Sequence, residues 1–298
     1  MQGKQVLITG ATNGIGLAAA RMLAARGAKL AIVGRSEGRT HHAAASIRSA
    51  AANATVDTFI ADLSAQASVR RLAHEVRARY PRVDVLINNA GAMYSFRQVS
   101  VDGIELTWAL NHLAPFLLTA LLLDLLKASA PARIITTASG AHHGAHIPFD
   151  DLQGERDYAP FRRYGVTKLA NILFTRELAR RLEGSGVTAN CFHPGLVATG
   201  FNRNNGPLMS LAMVLVGAFS LTPDDGAKTL VWLASAPEAA GVSGGYFVRE
   251  RQETPSAAAQ DLAAGARLWM VSEEQCHIAS PSRNGPVDPL PSVPEAPP

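Results

Sequence analysis

Lys4-Gln-Val-Leu-Ile-Thr9-Gly10-Ala-Thr12-Asn13-Gly14-Ile15-Gly16 is the stretch that decides the fold of this chain. Residues 5–9 read as a short buried strand that runs directly into three glycines and then an Ala-rich helical pattern. A glycine turn between strand and helix lets the backbone approach a pyrophosphate closely and aims free N–H groups at it from the helix N-terminus. The spacing Gly-x-x-x-Gly-x-Gly differs from the more familiar Gly-x-Gly-x-x-Gly, and a tight turn needs glycine with or without a ligand. Taken alone, the stretch predicts strand, turn and helix and leaves the ligand open.

Outward from this unit the same alternation repeats. Strands are expected near 5–9, 29–33, 55–60, 83–88, 132–137, 187–192 and 245–248, with helical patterns near 14–26, 39–51, 65–80, 102–127, 158–183 and 223–235. Strands alternating with helices demand an α/β fold whose seven-stranded parallel sheet is covered on both faces. A ligand in such a sheet sits beyond the carboxyl ends of the strands. The 298 residues predict one domain over 1–280, since no linker interrupts the pattern through residue 250, and a disordered Pro-rich tail over 281–298.

A second pattern carries chemistry. Tyr164 and Lys168 stand four residues apart in Tyr-Gly-Val-Thr-Lys at the opening of a long helix, which puts phenol and ammonium on one face. A fixed positive charge near a phenol favours the phenolate and moves it toward proton transfer at neutral pH. Two such residues alone are equally an exposed pair on a surface helix. Asn111 is followed four residues later by Pro115, which supplies no N–H to the Asn111 carbonyl, so that buried carbonyl needs another partner such as water. A plain helix kink is the alternative reading.

Thr9-Gly10-Ala11-Thr12-Asn13-Gly14-Ile15-Gly16, Asn88-Asn89-Ala90-Gly91, Asn111, Ser139, Tyr164-Gly-Val-Thr-Lys168 and His193-Pro194-Gly195 together resemble the short-chain dehydrogenase/reductase family, over roughly residues 3 to 275. Asn111-His-Leu-Ala-Pro-Phe, Lys168-Leu-Ala-Asn-Ile-Leu-Phe and Leu268-Trp-Met-Val-Ser resemble its retinol-dehydrogenase-like branch. The resemblance implies a Rossmann-type doubly wound fold and an oxidoreductase acting on CH–OH and C=O groups. It implies that Ser139 holds the substrate oxygen, that Tyr164 transfers the proton, and that Lys168 holds the nicotinamide ribose and lowers the Tyr164 pKa. It also implies that Asn111 supports a proton-relay water through its carbonyl.

For the cofactor, the resemblance implies contacts from Gly10, Thr12, Asn13, Gly14, Ile15 and Gly16, from Asp62 and Leu63 at the adenine, from Asn89, Ala90 and Gly91, from Tyr164 and Lys168, and from Pro194, Gly195, Val197 and Thr199. The second strand ends Ala31-Ile-Val-Gly34-Arg35-Ser36-Glu37. An NAD site commonly offers a carboxylate to the ribose 2′-hydroxyl there, and an NADP site an Arg to the 2′-phosphate. Gly34 stands where the family would carry that acid, so Arg35 with Ser36 points to NADP(H). Glu37 keeps NAD(H) as the alternative.

The remaining features bound the partners. A net charge of +4 with scattered Lys and Arg gives no nucleic-acid footprint. Two cysteines, Cys191 and Cys276, exclude a disulfide scaffold and set a cytoplasmic expectation, and Cys191 reads as a small buried apolar residue. The first apolar run is too short for a signal peptide. His142, His143 and His146 lack completing ligands for a metal and read as solvated loop residues. The apolar run 207–219 is too short to span a bilayer and matches the family's substrate flap near 200–222. It predicts a lipophilic small-molecule substrate, with a homo-oligomer contact or shallow membrane attachment as alternatives.

Overall fold

The computed structural model describes residues 1–51, 53–195 and 221–278. The expected flap over 207–219, Val197, Thr199 and the tail over 281–298 lie outside the described residues. Eight strands form one sheet in the order β3-β2-β1-β4-β5-β6-β7-β8. They are β1 Gln5–Thr9, β2 Lys29–Gly34, β3 Val56–Ile60, β4 Val85–Asn88, β5 Ala132–Thr137, β6 Val187–His193, β7 Tyr246–Val248 and β8 Arg251–Glu253. The order reverses between β1 and β4, and the crevice at that switch is where an open α/β sheet takes its ligand.

The helices are α1 Gly14–Ala25, α2 Glu37–Ala50, α3 Gln66–Arg79, the single turn α4 Leu106–Trp108, α5 Ala114–Ala128, α6 Pro160–Arg181, α7 Pro223–Ser235 and α8 Leu262–Gln275. Strand side chains alternate faces with a period of two. Val6, Ile8, Ile32, Ile87 and Phe247 accordingly pack with α1, α2 and α7, while Leu7, Val33, Leu86 and Ile134 pack with α3, α5, α6 and α8.

Two expectations about the elements need correction. The sheet has eight strands rather than seven, and it is not wholly parallel, because β7 pairs antiparallel with β8. The two strands are joined by Arg249 and Glu250, both at positive φ (48° and 63°). Positive φ at both residues of a two-residue hairpin loop normally selects Asn or Gly. Here the turn is held instead by the Glu250 N–H donating to Thr229 Oγ1 on α7 at 3.1 Å, so no local turn signal marks it. The charged, exposed β8 closes the sheet edge.

The helix expected over 102–127 is also irregular. Five residues, Ala109–Leu113, form a π turn between α4 and α5, closed by the Ala114 N–H donating to the Ala109 carbonyl. The backbone stays in the αR region at Trp108, Ala109, Leu113 and Ala114, so Pro115 lies within a continuous helix just after its π turn, where it removes one backbone donor. The run Leu106–Ala128 is long and apolar enough to cross a membrane by length and composition, with a mean hydropathy of 1.7, yet 67% of that window is buried inside the fold. Such burial is ordinary for a core helix.

Candidate active site

The glycine turn is shaped by its neighbours. Gly10 lies at φ +68°, and a Cβ there would stand 2.8 Å from Ala90 Cα. A Cβ on Gly16 would stand 2.3 Å from the Gly10 carbonyl oxygen and 2.6 Å from Asn89 Nδ2. Gly14 is at φ +53°. Thr9 Oγ1 accepts from the N–H groups of Asn89 (3.0 Å) and Ala90 (3.1 Å), while Asn89 Nδ2 donates to the carbonyls of Thr9 and Gly10, each at 3.2 Å. The Asn89 side chain is thus committed to bracing the turn rather than reaching for a ligand. Asn13 caps α1 without a side-chain hydrogen bond, and the first turn carries no acid. These open N–H groups fit an anionic diphosphate.

At the end of β2, Arg35 is exposed and Ser36 leaves the N-terminus of α2 without a side-chain cap. A Cβ on Gly34 would meet Thr40 Oγ1 at 2.2 Å and Thr12 Cγ2 at 2.5 Å. Thr40 is fixed by donating to the Ser36 carbonyl at 2.7 Å, so an acid at position 34 has no room. Asp62 is exposed at the end of β3, but its Oδ1 already accepts from the Ser64 N–H (3.0 Å) and hydroxyl (2.7 Å). The charges of Arg35 and Asp62 both act on the Tyr94 phenol, whose burial raises its pKa.

The reactive groups gather at the carboxyl end of β5. Ser139 follows that strand and lies beside the Tyr164 phenol. Lys168 Nζ lies 5.4 Å from the Tyr164 ring centroid and donates to the Thr137 carbonyl at 2.9 Å. Burial pushes the Tyr164 phenol up to about 12, with Ser139 acting in the lowering direction, and pushes the Lys168 ammonium down to about 8. Desolvation is the largest influence on both groups. The ammonium is aimed at a carbonyl, and desolvation outweighs the rest.

Asn111 is fully buried in the π turn. Its Oδ1 accepts from the Ala92 N–H at 2.8 Å, and its Nδ2 donates to the Ala92 carbonyl at 2.9 Å and to Thr167 Oγ1 at 3.1 Å. The side chain is spent on holding the loop after β4, leaving the carbonyl, to which Pro115 can offer no N–H. A π turn frequently marks a functional position. Gly91 fits between these groups, since a Cβ there would stand 3.2 Å from Asn111 Oδ1 and 3.6 Å from Lys168 Nζ. Pro194 and Gly195 close the end of β6, with Gly195 at φ +85° and its Cβ position 2.5 Å from Leu221 Cδ1.

Several contributors escaped the sequence reading. Glu105, fully buried, accepts from the N–H groups of Thr107 and Trp108 at 2.8 Å each and from Arg163 Nε at 2.7 Å. This ion pair ties the start of the Asn111 segment to the residue preceding Tyr164. His142 was expected to be solvated and is completely buried. Its Nδ1 donates to the Ser139 carbonyl at 2.8 Å and its Nε2 accepts from the Ser256 N–H at 3.1 Å, which orients the turn that presents Ser139. His143 and His146 are exposed as expected, and no cluster of metal-ligating side chains exists among the described residues. Cys191 is buried, and burial pushes its thiol up to about 12, consistent with a packing residue.

A dinucleotide cleft at the switch of a doubly wound sheet, with a Ser-Tyr-Lys cluster at its inner end, defines an oxidoreductase of the short-chain dehydrogenase family. The chain belongs to that family, whose model, described as short chain dehydrogenase, matches residues 4–208. Among relatives, retinol dehydrogenase 14 of Homo sapiens is 43% identical over 289 residues, covering 92% of this chain and 86% of its own. Retinol dehydrogenase 12 of Mus musculus is 43% identical over 272 residues, covering 91% and 86%. An uncharacterized protein from Mycobacterium paratuberculosis has a similar structure, with a TM-score of 0.76 at 33% identity, covering 93% of this chain and 94% of that one. A short chain dehydrogenase from Burkholderia cenocepacia, solved in complex with NADP, has a TM-score of 0.66 at 27% identity over 82% of this chain and 95% of that one.

Proposed function

We propose that this protein is an NADP(H)-dependent oxidoreductase that interconverts a carbonyl and an alcohol on a lipophilic small molecule. The observation that carries the reading is the gathering of Ser139, Tyr164 and Lys168 at the carboxyl end of β5, with Lys168 Nζ 5.4 Å from the Tyr164 ring centroid. In the reduction direction, Ser139 Oγ holds the substrate oxygen and the Tyr164 hydroxyl gives it a proton. The bound nicotinamide supplies the hydride. Lys168 holds positive charge next to the phenolate that Tyr164 becomes, and the Asn111 carbonyl offers an acceptor for the water that returns the proton.

Preference for the 2′-phosphorylated cofactor is supported by Arg35 and by the closed space at Gly34, which excludes the competing carboxylate. The NADP bound in the Burkholderia cenocepacia structure supports the same choice. Glu37, in the first turn of α2, is the one acid that an NAD-linked reading could use. A lipophilic substrate is supported by the retinol dehydrogenase names of the relatives and by Phe161, which is 67% exposed one helical turn before Tyr164. A single domain over 1–280 is supported by the one continuous sheet, and a cytoplasmic site of action by the two free cysteines. A catalytically idle cofactor-binding protein is disfavoured by the intact Asn-Ser-Tyr-Lys set.

The test is absorbance at 340 nm with NADPH or NADH against a panel of apolar aldehydes, ketones and quinones. Consumption of NADPH by an apolar aldehyde is expected. Faster turnover with NADH would shift the assignment to an NAD-linked dehydrogenase, and inertness toward the whole panel with retained NADPH binding would favour the idle protein.

A further inference from the structure

Thr167 stands between Tyr164 and Lys168 on α6, is completely buried, and has no part in the reaction as described. Its hydroxyl joins two elements that carry reactive groups. Thr167 Oγ1 donates to the Tyr164 carbonyl at 2.7 Å and accepts from Asn111 Nδ2 in the π turn at 3.1 Å. The same Asn111 nitrogen donates to the Ala92 carbonyl at 2.9 Å, and Asn111 Oδ1 accepts from the Ala92 N–H at 2.8 Å. Four hydrogen bonds therefore run without a break from the loop after β4, through Asn111 and Thr167, to the main chain of Tyr164.

Counting donors and acceptors leaves this network one arrangement. A hydroxyl has one proton, and the Tyr164 carbonyl can only accept, so the Thr167 proton is committed there and a lone pair faces Asn111. Both N–H bonds of the Asn111 amide are then used. If that amide turned over, its oxygen would face the Ala92 carbonyl and a Thr167 oxygen whose proton is already engaged. A helical threonine that bonds back to the preceding turn is commonplace, but here the same oxygen also takes a bond from a second element. The loop it helps to hold carries Gly91, whose Cβ position lies 3.6 Å from Lys168 Nζ. Removing the hydroxyl would leave a buried Asn111 N–H unpaired and release the amide, and with it the loop and the Asn111 carbonyl, from α6.

We propose that Thr167 is a positioning residue, whose hydroxyl holds Asn111 and the loop after β4 in place against Tyr164 and Lys168. The inference rests on Asn111, Tyr164 and Lys168 forming the reactive site. Two substitutions separate the hydroxyl from the shape of the side chain: Thr167→Val keeps the shape and Thr167→Ser keeps the hydroxyl. The valine variant should lose about tenfold or more in kcat with NADPH Kd within about twofold of wild type, and the serine variant should keep kcat within about threefold. Thr167→Ala carries the same expectation as valine where valine does not fold. A hydroxyl-free variant with wild-type kcat, or an equal loss in the serine variant, overturns the positioning role. Proton NMR of the Asn111 side-chain amide, in intact protein labelled with nitrogen-15 on asparagine, reads the link without turnover. Loss of the hydroxyl should move one of the two amide protons upfield and leave the other, held by the Ala92 carbonyl, in place. An unmoved pair overturns the link. If no reaction is found at all, the functional reading fails while the amide shift still decides the link.

Discussion

Glu105→Gln removes one charge from the buried pair at the start of the Asn111 segment and changes almost no volume. Wild-type Glu105 is 0% exposed and Arg163 is 4% exposed. Three N–H donors end on the carboxylate, at 2.7, 2.8 and 2.8 Å. Beyond Glu105, Arg163 keeps a hydrogen bond to the Leu152 carbonyl, which cannot neutralise its charge. An uncompensated buried cation costs about 3–5 kcal/mol, and the unpaired donor left by the new amide is contained within that figure. With a urea slope of about 3 kcal/mol/M, the unfolding midpoint should fall by about 1 M or more. Adding Arg163→Met should recover a large part of the loss, because removing both charges is far cheaper than removing one. A Glu105→Gln midpoint within about 0.3 M of wild type, which is about 1 kcal/mol on that slope, or a double variant equal to the sum of the two singles, would refute the reasoning.

Three further outcomes are expected. Arg35→Ala should weaken NADPH by about 1.5–3 kcal/mol in a binding titration and leave NADH nearly unchanged, and equal losses for both would remove the 2′-phosphate contact. Burial holds His112 at about 3 and His193 at about 4, below the ordinary 6.5, so their neutral forms support the fold fully above pH 6.5 and that support is lost as pH falls toward 3. Urea midpoints between pH 7 and 4.5 should therefore drop less steeply in His112→Asn than in wild type, and parallel curves would contradict this. Pro115→Ala should leave stability unchanged or raise it, because alanine can close a helical bond that proline cannot. It should nonetheless slow turnover by offering the Asn111 carbonyl an N–H, and full kcat with an unchanged solvent isotope effect would show that Pro115 only shapes the helix.

What the sequence made legible was local. Gly10 and Gly14 announce positive φ within one short segment, and the alternation of apolar strands with helical patterns specifies a largely parallel sheet covered by helices around them. Tyr164 and Lys168 share a face by helix geometry alone. The strand β8 gave no such signal, since its turn residues Arg249 and Glu250 lie at positive φ and the turn is held by the Glu250 N–H donating to Thr229, 21 residues away in the chain. Helix α8, marked only by Asp261 accepting from the Ala264 N–H, was not anticipated either. Glu105 and Arg163 stand 58 residues apart, so nothing in the spacing of either predicts a pair. His142 looked like one of several loop histidines, and only its contacts with Ser139 and Ser256 show it to be interior. Asn89 matched a cofactor motif, yet its amide is consumed by the turn it braces.

The central claim, that Tyr164 and its neighbours support hydride transfer to a carbonyl carbon, is tested most directly with NADPH carrying deuterium at both hydrogens of the nicotinamide C4 and an apolar aldehyde. Mass spectrometry of the alcohol should find the label on the carbinol carbon with wild-type enzyme, and at least about 10²-fold more slowly with Tyr164→Phe. Unlabelled alcohol, or equal rates of labelling in the two proteins, would contradict the account.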